Sequence, residues 1–468
     1  MTRELLAGAD RMIDSLESLI AEAGETRRLV SVTAPVEVDD PSGVAFASRL
    51  AGDRWFCWEQ PDRDGFALAG IGSAHEVASR GPERFRDLVA ACERVTRGRL
   101  SSEPSELPAA AGPAWVGGLA FAPNGGREPQ WSSFPPALLV MPEVLLHRVG
   151  GRSHLTLTVL AGSGLDGEAA VARLRARVGA LRPASLPLLD PDPSGEVRIA
   201  SAAPPERYER SVARAVERIR GRELEKVVLA REVVVEARRA HDPAALFGAL
   251  RELFPSCFCF CCGSPEAAFL GASPELLVRR RGAGAATVAL AGSTRRSADP
   301  SVDDHLGEQL RRSAKDRREH EIVVRRIERS LRAHAVWVES APEPDLVKVA
   351  NIQHLGTPIH AQLSDPRSAI ELAGLLHPTP AVGGEPRDAA FAAIAELEGL
   401  DRGWYAGPVG WMDAAEDGEF CVAIRSALLR DRSAHLFAGN GIVAASDPTA
   451  ELAETEVKLG ALLPLIAG

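Results

Sequence analysis

The sequence predicts an α+β fold, with large antiparallel β-sheets and helices packed outside them. Over about the first 180 residues, short apolar runs separated by Gly and Pro turns follow one another, which is typical of antiparallel sheet. Longer apolar runs recur in the second half of the chain and predict further strands. Two charged stretches with apolar residues at helical spacing, beginning near residues 313 and 448, predict helices that cover the sheets.

The N-terminal part begins with a predicted surface helix and continues with strands. The first twenty residues, MTRELLAGADRMIDSLESLI, carry charge throughout and lack the apolar core of about 7–15 residues that marks a signal peptide. The loop EPSELPAAAGP interrupts five strand patterns, at Trp55–Trp58, Phe66–Ala69, Trp115–Phe121, Leu138–Leu146 and Ser153–Val159. LRPASLPLLDPDPSGEV, residues 181–197, predicts a linker, and we divide the chain there into an N-terminal part, 1–200, and a second part, 201–468.

The second part alternates strands with longer helices. Pro205 predicts the start of a helix in which Tyr208 and Val212 share a face, and Gly221 predicts its end. The strand patterns here are KVVLAREVVVEA, FCFCCG, AAFLGASPELLVRRR, ATVALAGSTRR, GPVGWMD, GEFCVAIRSALLR and AHLFAGNGIVAAS. A long helix is predicted over SAKDRREHEIVVRRIERSLRAHA, and a last helix from Pro448.

Four of the seven cysteines lie in CFCFCC, residues 257–262, and raise the question of a metal site. Structural metal sites usually place two cysteines in a C-x2-C spacing, whereas this run reads C-x-C-x-C-C. A strand would put Cys257, Cys259 and Cys261 on one face and apolar side chains on the other, and a free Cys packs as a small hydrophobe. The cluster therefore predicts a strand that is buried on both faces.

The overall charge limits the partners. The chain of 468 residues has a formal net charge of −10 and no dense Lys/Arg stripe, which argues against a nucleic-acid partner. No run approaches the about 18 apolar residues of a membrane span, so we expect no membrane partner and a cytoplasmic location. An anionic substrate would therefore need a positive site that is built locally.

Carboxylates continue the apolar stripe of both predicted helices. Extending the stripe Val323, Ile327 and Leu331 backwards at helical spacing reaches Asp316, Glu319 and His320, and Glu451, Glu454 and Lys458 follow a similar pattern in the last helix. Inward carboxylates are costly unless they are paired, hydrogen-bonded or bound to a metal. Solvated faces with i,i+4 pairs would also give this pattern. If the two helices meet, their oxygens make a site for a hard ion, most plausibly Mg²⁺.

Three further segments fit an anionic ligand. Arg425, in the strand pattern CVAIRSALL, offers a fork of donors for a carboxylate. Gly439 and Gly441, in AGNGI, allow backbone N–H groups to approach an oxyanion. Gly292 and Ser293, in LAGSTRR, lie between a strand and a loop. Each signal is weak alone, because a G-x-G is usually a turn and a strand Arg usually extends to solvent.

Together these segments resemble the chorismate-utilising enzymes, over about residues 207–465. The family includes isochorismate synthase, salicylate synthase and the large chains of anthranilate and aminodeoxychorismate synthases. The matching stretches, in the order of the family, are LEKVVLARE, FLGASPELLV, LAGSTRR, KDRREHEIV, NIQHLGTP, LLHPTPAVGGEP, WYAGPVGWMD, VAIRSALL, FAGNGIVAASDP and ELAETEVKL. The N-terminal part matches only loosely, mainly in WFCWEQPDRDGFALAGIG. The resemblance implies one α+β unit in which two antiparallel sheets pack with the active site between them.

The resemblance also implies roles for individual residues. Lys226 would be the general base that activates water, and Glu275 the general acid. Glu319 and Glu454 would bind Mg²⁺, with Glu451 and Asp316 acting behind them or through water. The residues that would bind or line the chorismate site are Gly292, Ser293, His354, Ala381, Tyr405, Arg425, Gly441 and Lys458.

Within the family, the loop HPTPAVGGEP favours isochorismate synthase. Ammonia-using members carry Thr where this chain has Ala381, and they work with an amidotransferase partner, which we do not expect here. Salicylate synthases also use water, then eliminate pyruvate, and often carry Thr at that position. The full-length N-terminal part resembles members of the menaquinone pathway. The alternatives are a salicylate synthase, an anthranilate-type large chain and a catalytically silent chorismate-binding protein, and we expect a monomer or weak homo-oligomer.

Overall fold

The computed structural model describes residues 2–190, 197–349 and 352–468. Most of the predicted linker is visible as irregular chain, but residues 191–196 lie outside the described residues. Within the described part of the chain, no helix is long and apolar enough to cross a bilayer.

The described α-helices begin where the sequence offers caps or prolines. Asp447 accepts a hydrogen bond from Ala450 N, and Ser313 accepts one from Asp316 N, each capping the helix that follows it. The helices are α1 Thr2–Ala23, α2 Pro41–Ser48, α3 Arg84–Thr96, α4 Gly167–Gly179, α5 Pro205–Arg220, α6 Pro243–Leu253, α7 Pro300–Arg312, α8 Ala314–Arg332, α9 Ala369–Leu376, α10 Arg387–Leu397, α11 Pro448–Leu459 and α12 Leu463–Ala467.

The described strands are β1 Arg28–Val36, β2 Trp55–Gln60, β3 Phe66–Ile71, β4 His75–Ser79, β5 Leu100–Ser102, β6 Ala114–Leu119, β7 Ala137–Met141, β8 Val144–Val149, β9 Arg152–Ala161, β10 Arg198–Ser201, β11 Lys226–Glu236, β12 Phe258–Gly263, β13 Ala268–Ser273, β14 Leu276–Arg281, β15 Gly284–Arg295, β16 Ala335–Ser340, β17 Asp345–Lys348, β18 Ile352–Leu363, β19 Gly384–Glu385, β20 Pro408–Asp413, β21 Gly418–Val422, β22 Ser426–Arg430 and β23 Ser433–Ile442.

These strands form two large sheets, as predicted. The first has the order β10-β11-β23-β22-β13-β12-β2-β3-β8-β9-β1-β5, with β19 added beside β11. The second has the order β16-β18-β15-β14-β21-β20-β6-β7-β4, with β17 also paired to β18. The pairing is antiparallel except between β1 and β5. Strands from before and after the predicted linker are hydrogen-bonded to each other in both sheets, at β12–β2 and β20–β6.

The cysteine-rich run is a buried strand, as predicted. Cys259, Cys261 and Cys262 lie on β12, where Cys261 pairs in register with Cys57 of β2. All seven cysteines are free and buried. The cluster belongs to the core of the first sheet.

Two strand predictions were wrong in detail. The run Leu138–Leu146 is two strands, β7 and β8, because Pro142 cannot continue the ladder and the chain turns there. Arg425 does not lie within a strand. It lies in the break between β21 and β22 with φ +49°, a left-handed conformation that is uncommon for a residue with a side chain.

Candidate active site

The predicted site residues meet at one pocket that takes residues from both sheets. It is lined by all of them except Lys226 and Glu451, which contact lining residues from behind. The free volume is small, about 90 Å³, and charged side chains of its wall are paired with one another. Ordinary ligand pockets hold about 300 Å³ or more. A ligand must therefore separate some of these pairs when it enters.

Helices α8 and α11 bring their carboxylates to the same side of this pocket. Asp316, Glu319 and Glu454 all line it, while Glu451 is buried beside Glu454 on α11. Burial raises the pKa of Asp316, and the charges of Glu319 and Glu454 raise it further. Of the two orientations that the apolar stripes left open, the inward one is observed, and the two acidic turns share one electrostatic environment.

Three lysines balance these carboxylates. Lys315 Nζ donates to Glu451 Oε1 at 2.8 Å, and Lys458 Nζ lies 3.0 Å from Glu454 Oε1. Although burial raises the pKa of Glu454, the contacts with Lys458, Ser293 and Lys315 hold that pKa below its usual value. Lys226 Nζ lies 2.9 Å from Glu319 Oε1. Each carboxylate except Asp316 therefore has an ammonium partner.

The donor set fits a hard divalent cation. In the described residues, no three His, Cys, Asp or Glu side chains are close enough to form a complete metal cage. Mg²⁺ does not require one, since it is commonly held by one or two carboxylates together with water and an anionic ligand. Glu319 and Glu454 supply two carboxylates at one pocket. The negative charges of both raise the pKa of Asp316, which indicates an excess of negative charge there.

Lys226 is the first residue of β11, and its side chain is fully buried. Its Nζ makes an ionic contact with Glu319 and has no hydrogen-bond partner in the described part of the chain. Gly441 allows this contact. A Cβ at position 441 would lie 2.1 Å from Glu319 Oε1 and 2.6 Å from Lys226 Cε. A buried amine with spare donors is suited to proton transfer once it is neutral.

Glu275 lies in the turn between β13 and β14 and is 4% exposed. Burial raises its pKa to about 8, although the charge of Lys226 and a hydrogen bond from Thr379 both lower it. Thr379 Oγ1 is 3.4 Å from Glu275 Oε1. At neutral pH the carboxyl group is thus mainly protonated and can donate a proton, as a general acid must.

Arg425 and His354 form a buried pair at the pocket wall. Arg425 donates to His354 Nε2 at 2.7 Å. Burial lowers the pKa of His354 well below its usual value, and Arg425 and Lys458 lower it further. The imidazole is therefore neutral and accepts this bond. Burial also lowers the pKa of Arg425 to about 10, so its guanidinium remains charged and available to an anion.

The other predicted residues also lie at the pocket. Gly292 has φ +75° at a bulge of β15, a conformation that favours glycine. Ser293 Oγ donates to Glu454 Oε1 at 2.8 Å, so in this structure it supports the acidic side. Tyr405 is buried and stacks on Phe437. Ala381 lines the pocket from the loop between α9 and β19.

Sequence reasoning missed three contributors, and each contacts a predicted residue. Thr379 contacts Glu275, and Lys315 contacts Glu451. Asn440 Oδ1 accepts from Lys458 Nζ at 2.8 Å, and its amide group donates to Glu451 Oε2 at 3.1 Å. The signal for Lys315 was its place directly before Asp316 in KDRREHEIV, whereas the orientation of Asn440 depends on how β23 packs on α11.

Known proteins with the same fold and sequence pattern are enzymes that act on chorismate. Residues 14–467 match the family model described as "Chorismate binding enzyme". The chain is 39% identical to the salicylate biosynthesis isochorismate synthase of Pseudomonas aeruginosa, over 96% of this chain and 92% of that protein. It is 32% identical to the isochorismate synthase MenF of Bacillus subtilis, over 94% of each.

A solved structure agrees. The menaquinone-specific isochorismate synthase MenF of Escherichia coli superposes with a TM-score of 0.80 at 27% identity, over 98% of this chain and 99% of that one. The family match covers nearly the whole chain, including the N-terminal part that the motifs matched only loosely. The protein belongs to the family of chorismate-binding enzymes.

Proposed function

We propose that this enzyme is an isochorismate synthase that requires Mg²⁺ and converts chorismate to isochorismate. In this reaction water adds at C2, the ring double bonds shift, and the C4 hydroxyl group leaves as water. The observation that carries the proposal is a buried amine, Lys226, beside the same pocket as a buried carboxyl, Glu275, whose pKa is raised to about 8. The relatives named as isochorismate synthases support it.

The proposed reaction needs two proton transfers, one carried out by Lys226 and the other by Glu275. Neutral Lys226 would accept a proton from the attacking water, and protonated Glu275 would give one to the departing hydroxyl group. An ammonium ion has no lone pair, so Lys226 must first release a proton to solvent, which also ends its ionic contact with Glu319. After one turnover Lys226 carries an extra proton and Glu275 lacks one. Solvent must reset both groups before the next cycle.

The remaining residues would bind the substrate dianion. Arg425 and Lys458 supply positive charge on a protein whose net charge is −10, and neutral His354 orients Arg425. Glu319 and Glu454 would hold Mg²⁺, which when bound supplies positive charge for a substrate carboxylate among these acidic side chains. Ala381 is an apolar residue at the loop position where ammonia-using members of the family carry Thr. This difference supports water, and not ammonia, as the nucleophile.

The product formed from chorismate tests the proposal. The purified protein is incubated with chorismate and Mg²⁺, and the products are separated by chromatography. We expect isochorismate as the main product without added ammonia. Salicylate and pyruvate as main products would identify a salicylate synthase instead. Anthranilate formed only with ammonia would identify the third activity, and unchanged chorismate would point to a silent binding protein.

Removal of divalent ions is expected to abolish turnover. Without a cation, the carboxylates of Glu319 and Glu454 repel the substrate carboxylate, and the lysines alone must offset this repulsion. Protein treated with EDTA and desalted should regain activity when Mg²⁺ is titrated back. Glu454→Gln should raise the Mg²⁺ concentration needed for half-maximal activity, while Glu308→Gln on the exposed side of α7 should not. Full activity in EDTA would contradict the prediction.

Gly441→Ala is expected to reduce turnover by about 10²-fold, because the new methyl group overlaps Glu319 Oε1 and Lys226 Cε. Both atoms belong to side chains that can shift, so the melting temperature should change little. Steady-state kinetics and thermal denaturation measure the two effects. Gly52→Ala is the control, since an added Cβ there meets no atom within 4 Å. Equal losses of activity in both variants would refute the steric argument.

A further inference from the structure

A second cleft, of about 760 Å³, opens between α3, α9 and α10. Its walls carry Arg84, Arg367 and Arg387, together with His334 and His377. The residues of this cleft and those of the active-site pocket do not overlap. No role in the proposed reaction explains so many guanidinium groups at this place, whereas burial lowers the pKa of His377 to about 3 and leaves its imidazole neutral.

Two of these guanidinium groups, those of Arg84 and Arg387, have no anionic partner within the described part of the chain. Arg84 is 3% exposed, its Nε has no hydrogen-bond acceptor among the described residues, and it donates only to the backbone oxygens of Ala120 and Phe121. Burial lowers the pKa of Arg84 to about 10, and the charge of Arg387 lowers it further. Burial likewise lowers the pKa of Arg387, as does the charge of Arg326. Placing like charges together in a half-buried cleft is costly unless an anion joins them.

The backbone adds to this positive potential. Helices α3 and α10 both begin at the cleft, with Arg84 and Arg387 as their first residues, and neither helix has a side-chain hydrogen bond at its N-cap. The free N–H groups of a helix N-terminus attract anions. Two such termini and two unpartnered guanidinium groups converge here.

The carboxylates of the cleft do not neutralise these groups. Glu83 pairs with Arg86 at 3.0 Å. Glu371 accepts from Ser368 N at 2.7 Å through Oε2, and its Oε1 lies 3.8 Å from a guanidinium nitrogen of Arg367, so Arg84 and Arg387 remain without a carboxylate partner among the described residues. Asp388 is exposed in the first turn of α10. Its charge raises the pKa of Arg387, but burial and the charge of Arg326 each lower that pKa by more. The cationic groups therefore face the cleft without full compensation.

Apolar side chains line the cleft beside these arginines, namely Phe85, Val89, Leu375 and Phe391, and Arg84 Cζ lies 4.9 Å from the centre of the Phe85 ring. Phe121 separates the cleft from the active-site pocket, since its oxygen accepts from His377 Nε2 at 2.9 Å and its ring lies 4.1 Å from Cζ of Arg402, which lines that pocket. The cleft is thus a separate cavity in which guanidinium groups and apolar side chains lie next to each other.

We propose that this cleft is a second binding site, for a small organic oxyanion whose phosphate or carboxylate group lies between Arg84 and Arg387 and whose apolar body packs on Phe85 and Phe391. The chemistry of the site favours a dianion, because two guanidinium groups and two helix termini face it. The proposal does not depend on the reaction that the enzyme catalyses.

Phenyl phosphate is a suitable probe, with benzoate as the carboxylate counterpart and benzyl alcohol as the neutral one. In calorimetric titrations of the full-length protein, phenyl phosphate should bind and benzyl alcohol should not. Arg387→Gln should weaken phenyl phosphate roughly tenfold or more, as loss of a hydrogen bond to a charged group does, and Arg387→Lys should weaken it less. Tighter binding of benzoate than of phenyl phosphate would identify the head group as a carboxylate within the same site.

Two control variants test whether phenyl phosphate binds in this cleft and not elsewhere on the protein. Arg94→Gln, at the exposed far end of α3, should leave affinity unchanged, and so should Lys458→Gln in the active-site pocket. A crystal structure with phenyl phosphate should place the phosphate group between Arg84 and Arg387. The proposal is wrong if no binding is measured at millimolar concentration, if Arg387→Gln binds as well as the wild type, or if only Lys458→Gln loses binding.

Discussion

Glu275→Gln is expected to lower the turnover of chorismate by roughly 10²–10⁴-fold, the usual contribution of a general acid. The amide keeps the size of the side chain and its contact with Thr379. Its N–H protons are not acidic, so it cannot act as a general acid. Because the carboxyl is already mainly neutral at pH 7, the substitution changes little charge, and chorismate should still bind with nearly normal affinity. Kinetics and equilibrium binding together separate these effects.

The pH profile sharpens this test. If Glu275 is the general acid, as proposed, its protonated form is the active one, and because burial raises its pKa to about 8, wild-type turnover should fall as pH rises above about 8. The residual activity of Glu275→Gln should lack this alkaline decline. Glu266→Gln, in the turn before β13 and outside the pocket, should behave as the wild type. A severe loss of folding or of chorismate affinity in Glu275→Gln would show that Glu275 has a structural role instead.

Lys226→Ala is expected to have an effect of the same order, because it removes the proposed base. The substitution leaves a cavity next to Glu319, so small primary amines should enter and restore part of the turnover. Rescue should grow with pH as more of the added amine becomes neutral. Rates measured over a series of amine concentrations and pH values would establish this.

A separate variant controls for the lost ion pair. In Lys226→Ala the buried carboxylate of Glu319 has no partner, which alone can destabilise the fold by about 3–5 kcal/mol. Lys226→Met combined with Glu319→Gln removes both charges, and it should recover stability in chemical denaturation without recovering turnover. If Lys226→Ala keeps wild-type turnover, the assignment of the base fails and another residue must activate water.

Much of this site could be predicted because its residues belong to regular elements with strong local signals. Ser313 and Asp447 mark the starts of α8 and α11, and helical spacing then turns Glu319 and Glu454 inward. The roles of Lys226 and Glu275 came from the order of motifs in the family and remain predictions until variants are assayed.

The parts that could not be predicted depend on contacts between distant segments. No local pattern shows that Thr379 contacts Glu275, or that Asn440 joins Lys458 to Glu451. Backbone detail was missed for a similar reason. Arg425 lies in a strand-like run, yet it has a positive φ where the chain crosses from β21 of the second sheet to β22 of the first, and its side chain donates to His354.

The buried cysteines can serve as reporters of unfolding, because they become reactive only when the chain around them opens. Only a thiolate reacts quickly with iodoacetamide, and burial raises the pKa of Cys57, Cys92, Cys259 and Cys421 alike. Cys57 and Cys259 belong to the first sheet and Cys421 to the second. Mass spectrometry of chains alkylated in increasing denaturant would therefore show whether the two sheets open together or one before the other.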